Sequence, residues 1–311
     1  MAFAQGSRSG LSYIEETTFG TTPAGNFTAI PYNTHSLNLT KDRVTGNEIQ
    51  PDRMLRVDRH GNRQSGGDIT VDLRDGNFDP FIESALQSTW DTSPSSLPDV
   101  LKVGTTPKYF SIEDAAQDIS QFRLFTGMSV GSMSFSIAPN QMVTTTMTMV
   151  GKDMSMSGSG KTVTAATVAQ PFDSYSGDLS IGDVGAASAI ATVTSLDFSI
   201  DNAMNATFVV GDDSTPCLET GMATVEGTMT AYFQDDTLID RFIDEVESEL
   251  IVSVDDPTGA NTYTFGFPKI KINGADVPVD GQTSRIVTLP FVALYDDTEG
   301  TNFYIERPET A

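Results

Sequence analysis

The side chains that most often carry out chemistry are few and scattered in this chain. Of its 311 residues two are histidine, His35 and His60, and one is cysteine, Cys217. A zinc ion needs three or four nitrogen, sulfur or carboxylate ligands in a set pattern, and these three residues do not build one of the usual kind. Neither histidine has a motif around it from which a nucleophile, base and orienting acid could be ordered. "GSGKT" at 158–162 resembles the end of a phosphate-binding loop. That loop also needs a glycine at position 155, where Ser155 stands, and it must join a strand to a helix. The pairs Asp212-Asp213, Asp235-Asp236, Asp255-Asp256 and Asp296-Asp297 lack the alternating ligand spacing of a calcium loop; they read as solvated turns and a helix cap. Met128, Met133, Met142, Met147 and Met149 suit the packing of an irregular core better than a soft-metal site. No catalytic residue, cofactor or metal site is therefore expected. A lone cysteine excludes an intramolecular disulfide, and Cys217 is expected as a small, buried, inert thiol.

Charge narrows the partners. There are 18 Lys and Arg against 42 Asp and Glu, a formal net charge of −24. Such a chain repels nucleic acid rather than holding it. No run of 18 apolar residues is present, so no membrane span is expected. "MAFAQGSRSG" lacks the apolar centre of a signal peptide. The charge is also uneven. Residues 1–159 carry 12 basic and 17 acidic side chains, whereas residues 160–311 carry 6 and 25. Lys41, Arg43, Arg53, Arg56, Arg59 and Arg63 put a third of the positive charge into 23 residues. This stretch is either a solvated loop or a basic arm that meets acidic surface on another copy. In the second case Arg43, Arg53, Arg56, Arg59 and Arg63 are the inter-subunit or inter-ring contacts.

The elements that would carry these residues are mostly strands. The first 34 residues are rich in Gly, Thr and Pro and read as an extended arm that orders on assembly. Period-two alternation then dominates: Ile69, Val71 and Leu73; Val143, Thr145, Met147 and Met149; Leu196, Phe198 and Ile200; Val225, Met229, Ala231 and Phe233. Their Thr and Ser neighbours suit sheets with one wet face. The phase slips at Gly131-Ser132, which predicts a bulge, and at Pro268, which predicts an edge or bend. Only two helices are expected. One starts near Asp79 as N-cap, with Pro80 at its first position. Phe78, Phe81, Ile82, Ala85 and Leu86 form its apolar stripe. The other begins near Asp235 or Asp236, with Leu238, Ile239, Phe242, Ile243 and Val246 as its stripe. Both are too short to stand alone, so Phe81, Ile82, Leu86, Leu238, Phe242 and Ile243 are expected to dock them on sheets.

These elements recur in order. "SLNLTKD" (36–42) matches "SLDFSID" (195–201) at an offset of 159 residues; Gly67 matches Gly227 at 160; Phe81-Ile82-Glu83 matches Phe242-Ile243-Asp244 at 161. Drift in the offset with unchanged order is what small loop insertions produce. The expected organisation is an N-terminal arm (1–34), two copies of one β-rich domain (35–157 and 172–300) joined by a Gly/Ser/Thr-rich linker (158–171), and a C-terminal tail (301–311).

Several stretches then resemble one family. "LSYIEETTFGTTPA" (11–24), "SLNLTKDRVTGNEI" (36–49), "RHGNRQSGGDI" (59–69) and "FTGM" (125–128) are similar to tail tube proteins of long-tailed bacteriophages. So are "VTSLDFSIDN" (193–202), "TAYF" (230–233) and "LPFVALYDDTEGTNFYIERP" (289–308). The resemblance covers nearly the whole chain. It implies β-sandwich domains packed into rings, with inner sheets joining into a shared barrel. It also implies stacked rings, a tape measure protein inside, terminator and distal tail proteins at the ends, and DNA passing through the lumen without specific binding. The implied location is the virion tail, after assembly in the host cytoplasm. Another tail protein, a terminator or decoration protein, and a monomeric β-sandwich binding module are the alternatives.

If each domain gives four strands to the barrel, six domains give 24 strands. With strands about 4.8 Å apart and tilted about 40°, the barrel is roughly 48 Å across at the backbone. That leaves room for a duplex, and half of it does not. Three chains of two domains, a trimer with pseudo-sixfold symmetry, would supply six domains; a hexamer with one domain outside is the rival.

Overall fold

Alternation along the strands sorts their side chains. Ile69 and Val71 are fully buried while Asp68 and Thr70 face away; Met147 and Met149 alternate with Thr146 and Thr148; Leu196, Phe198 and Ile200 alternate with Asp197 and Ser199. A computed structural model describes residues 3–93, 98–167, 169–190, 192–279, 281–282 and 284–308. The ends of the expected arm and tail, 1–2 and 309–311, and residue 168 of the expected linker lie outside these.

The first half begins with a 3-10 turn (Gly6–Arg8). It continues through β1 (Ser9–Glu16), β2 (Phe27–Ile30), β3 (Thr34–His35), β4 (Asn38–Thr45), β5 (Asp58–Asp72) and helix α1 (Asp79–Leu86). Strands β6 (Asp99–Lys102), β7 (Tyr109–Ala116), β8 (Gln121–Ile137), β9 (Thr144–Gly151) and β10 (Asp153–Ser157) follow, then β11 (Val163–Thr164). The second half runs through β12 (Leu179–Asp183), β13 (Ala186–Ala189), β14 (Val193–Asp201), β15 (Asn205–Ala206), β16 (Leu218–Glu219), β17 (Thr224–Tyr232) and helix α2 (Thr237–Ile243). It ends with β18 (Ser248–Asp255), β19 (Thr262–Ile272), β20 (Ile286–Ala293) and β21 (Tyr304–Arg307). The protein is mainly β. Nineteen strands join in one large mixed sheet, and β15 pairs with β16 apart from it.

Two long strands carry the sheet from one layer to the other. The first part of β8 pairs with β7 and β10, and its second part with β9 and β14. The first part of β19 pairs with β18 and β21, and its end with β20. The expected irregularities fall where these strands turn. The β8–β9 register shifts between Val130 and Ser132, and the β18–β19 register shifts across Pro268. Gly127, with φ +64°, is a position where a Cβ would meet Phe19 and Lys152. Its amide donates to the buried Glu16 carboxylate at 2.9 Å, which also accepts from Ser111 and Gly20. Between the layers, Phe198 packs on Phe265, Phe267 and Phe303 with ring centroids 5.1–5.8 Å apart.

The two ends of the chain depart from expectation. The whole of β1 pairs along β7, from Ser9 opposite Ala116 to Glu16 opposite Tyr109, and Leu11, Phe27 and Ile30 are buried. Residues 9–30 are thus part of the sheet, because three apolar side chains find the core. At the other end Phe303 and Ile305 are fully buried, and β21 pairs with both β19 and β6. Arg307 bonds Asp79 and Asp99 and lies 4.2 Å over the Trp90 ring. Asp79 does not cap its helix. Phe78 holds the N-cap position, and the Asp79 carboxylate accepts from Tyr263 Oη and Arg307. α2 does start after Asp236.

Candidate functional site: a polar sheet face with two edges

One surface of the sheet runs across both halves. In spatial order it comprises β4, β5, β9, β8, β14, β17 and β20. Residues 273–276 follow on the far side of β20, where Asp276 forms an antiparallel bridge with Thr288 and Asn273 N donates to Pro290 O at 2.7 Å. The halves meet at β8–β14, six residue pairs from Ile137 opposite Leu196 to Ser132 opposite Asp201. Inward of this seam Phe135 stacks on Phe198; outward, Ser136 Oγ donates to Asp197 Oδ1 at 2.5 Å.

The outward face is made of hydroxyls and carboxylates. Thr148 donates to Asp68 at 2.7 Å, Thr70 bonds Thr146 at 3.1 Å, and Ser195 bonds Thr230 at 2.7 Å, so neighbouring strands are laced by short side chains. A concavity of about 560 Å³ opens on it, lined by Ser134, Ser136, Thr146, Asp197, Glu226 and Thr228 among others. The segments 66–72, 132–137, 144–151, 193–201, 224–232 and 286–293 contain no Lys or Arg, and they carry Asp68, Asp72, Asp197, Asp201 and Glu226. Across these segments a polyanion finds neither counterion release nor a basic handle; β4 and the start of β5 do carry positive charge, at Lys41, Arg43, Arg59 and Arg63. The chemistry of these segments is wet, acidic and non-adhesive. The polar positions of the alternating strands signal it in the sequence.

Among the described residues, the outer edge of β4 and the outer edge of 273–279 have no strand partner. A sheet that ends in two open edges is a template for pairing with another chain.

A family model described as phage tail tube protein matches residues 6–293. The chain belongs to the phage tail tube protein family. No curated protein matches it. Its role is structural, in the tail tube of the virion, and the family is not an enzymatic one. The matched span includes β1 and β2, in agreement with their place in the sheet.

The singled-out residues of this tail tube protein take the following places. The 43–66 stretch is the β4–β5 hairpin and its tip. Arg43 pairs with Asp58 at 2.9 Å, Arg56 with Asp52 at 2.6 Å, and Arg63 with Asp153 and Asp213 at 3.2 and 3.3 Å. Arg53 and Arg59 make no ion pair among the described residues. The tip also exposes Ile49, Met54 and Leu55, which a search for charge overlooks. In α1, Phe81, Ile82 and Leu86 are fully buried, with Phe81 against Tyr13 and Phe110 at 4.7 Å. In α2 only Leu238 is buried; Phe242 is 37% exposed and Ile243 65%, contrary to the expected docking stripe. The α2 helix is one turn shorter than its stripe requires; Leu238 reaches the core, while Arg241 pairs with Asp183 of β12 and donates to Ser248 Oγ of β18, both at 3.0 Å.

The remaining motifs resolve locally. Cys217 is exposed rather than buried, because it lies in the surface excursion between β14 and β17. Met128, Met133, Met147 and Met149 are core residues, and Met142 is exposed. In "GSGKT" the Lys161 amide donates to the chain's own Glu113 carboxylate at 2.9 Å. Asp212, Asp256 and Asp296 each accept from amides two to four residues on, and so close turns.

Proposed function

We propose that this tail tube protein builds rings of three chains, and that each chain supplies two copies of one domain to a closed lumen-lining barrel. The observation that carries this is the correspondence of pairings. β1–β7, β1–β2, β4–β5, β5–β9, β8–β9 and β8–β10 in the first half are matched in order by β12–β18, β12–β13, β14–β17, β17–β20, β19–β20 and β19–β21 in the second. Each helix follows the corresponding strand, β5 or β17. On this reading the copies begin at Ser9 and Leu179, not at 35 and 172, and end at Ser157 and Arg307. Each gives four neighbouring strands to the polar face.

The β8–β14 seam is then the pattern for the contact between chains. The 273–279 edge of one chain meets β4 of the next, both edges disappear, and closure removes the hazard of open strands. Three sets of eight make the 24-strand barrel. The acidic, hydroxyl-rich face becomes the lumen through which DNA slides around or behind a tape measure protein. The β4–β5 hairpin projects from the ring toward a stacked neighbour, with Arg53, Arg59, Ile49, Met54 and Leu55 as its contacting groups; terminator and distal tail proteins would meet the end rings.

Negative-stain microscopy of the purified protein tests the reading. Rings and tubes are expected, and replacing Arg53 and Arg59 with Ser should shorten tubes while rings persist. A protein that stays monomeric at high concentration contradicts it and favours a binding module.

A further inference from the structure

The two helices place a shared Phe-Ile pair differently, in the first turn of α1 and at the C-terminal end of α2. Phe81 and Ile82 of α1 are 0% exposed, whereas Phe242 and Ile243, which occupy the matching Phe-Ile positions of α2, are 37% and 65% exposed. Part of the cover over α1 comes from the other half of the chain. β14 enters beside β8, and Asn202, just past its end, donates from Nδ2 to Ala85 O in the last turn of α1 at 2.8 Å and to Val130 O at 3.3 Å. Its own amide donates to Gly131 O at 3.0 Å. The strand that completes the sheet thus also closes the helix. α2 stands at the β19 end of this sheet face, where no such strand is present among the described residues.

We propose that Phe242 and Ile243 are a docking patch for a second copy of this chain, which covers them with β4 and the stem of its β4–β5 hairpin, as β14 and Asn202 cover α1. This rests on the ring-closure reading and adds the helix to the seam. The chemistry on both sides agrees. The β4 stem brings exposed Val44 and Val57 together with Lys41 and Arg43, and by the "SLNLTKD"–"SLDFSID" match Arg43 holds the position of Asn202. The α2 side presents Asp240 and Asp244, which form no ion pair among the described residues, and Glu245. A cation placed at the C-terminal carbonyls of a helix is favoured by the helix dipole. Opposite charges of this kind set register and on-rate, and the apolar pair supplies the buried contact.

The test uses the full chain. Ile243→Asp should lower the assembled fraction, measured by sedimentation, at least tenfold. The melting temperature of the monomer should stay unchanged, because Ile243 is solvated there. On assembled wild-type protein, zero-length amine–carboxylate coupling should join Lys41 of one copy to Asp240, Asp244 or Glu245 of another, read by mass spectrometry. If the wild type does not assemble, the ring reading itself fails. If the wild type and Ile243→Asp assemble alike, the ring reading stands and the docking patch is overturned. If Ile243→Asp loses monomer stability, the coupling decides: carboxylates of α2 joined only to segments other than β4 and its hairpin stem overturn the proposal.

Discussion

Phe135 of β8 stacks on Phe198 of β14, with ring centroids 4.8 Å apart and planes 18° from parallel. The pair sits inside the seam where the two halves share strand hydrogen bonds, and both rings also touch Phe265. Phe198→Ala removes a ring that packs on four others, Phe135, Phe265, Phe267 and Phe303, and leaves a cavity; a loss of about 3–5 kcal/mol is expected in a denaturant titration. A loss below about 1 kcal/mol would mean the halves do not share a core there.

Arg307 fastens the chain end to the first half. It bonds Asp79 and Asp99, and it covers Trp90. Burial works against its charge, but Asp79 and the Asp99 hydrogen bond outweigh that and raise its pKa. Arg307→Met keeps the volume and removes the cation shared by the buried Asp99 and the partly buried Asp79, at a cost of about 3–5 kcal/mol. Thermal melting would fall by several degrees; an unchanged melting temperature would show that β21 is ornamental.

Acid should act through Asp114. Burial raises its carboxyl, but hydrogen bonds from His35 and Arg123 prevail and hold it below the usual carboxylate range. A depressed folded pKa stabilises the fold above the unfolded value of about 4, and that contribution is lost as pH falls through the folded one. Asp114→Asn should therefore lower the urea midpoint at pH 7, and the gap from wild type should shrink toward pH 3. Parallel pH curves would contradict this.

The polar face predicts weak traffic with DNA. Asp201→Lys with Glu226→Lys replaces two exposed acids, and the assembled variant should retain duplex DNA on a filter in a salt-dependent way. Wild-type tubes should not. Equal retention by both would place this face away from the lumen.

Local signals were the legible ones. The two helices, the bulge at Gly131-Ser132 and the shift at Pro268 follow from a few neighbouring residues, and so does the core placement of the strand methionines. Asp79 was misread because its partners, Tyr263 and Arg307, are 184 and 228 residues away. Residues 9–30 and 303–307 read as arm and tail because short runs with few apolar side chains give little periodicity; their pairing partners are equally remote. The exposure of Phe242 and Ile243 was hidden for another reason. On the docking proposal, the stripe records what the helix buries in the assembled ring and not which chain does the burying.

The central claim is a count. A cryo-EM average of the tube, computed without imposed symmetry, should resolve three chains per ring, with 24 lumen-facing strands and alternating β8–β14 and inter-chain seams. Six equivalent chains per ring, each placing only four strands on the lumen, would contradict it.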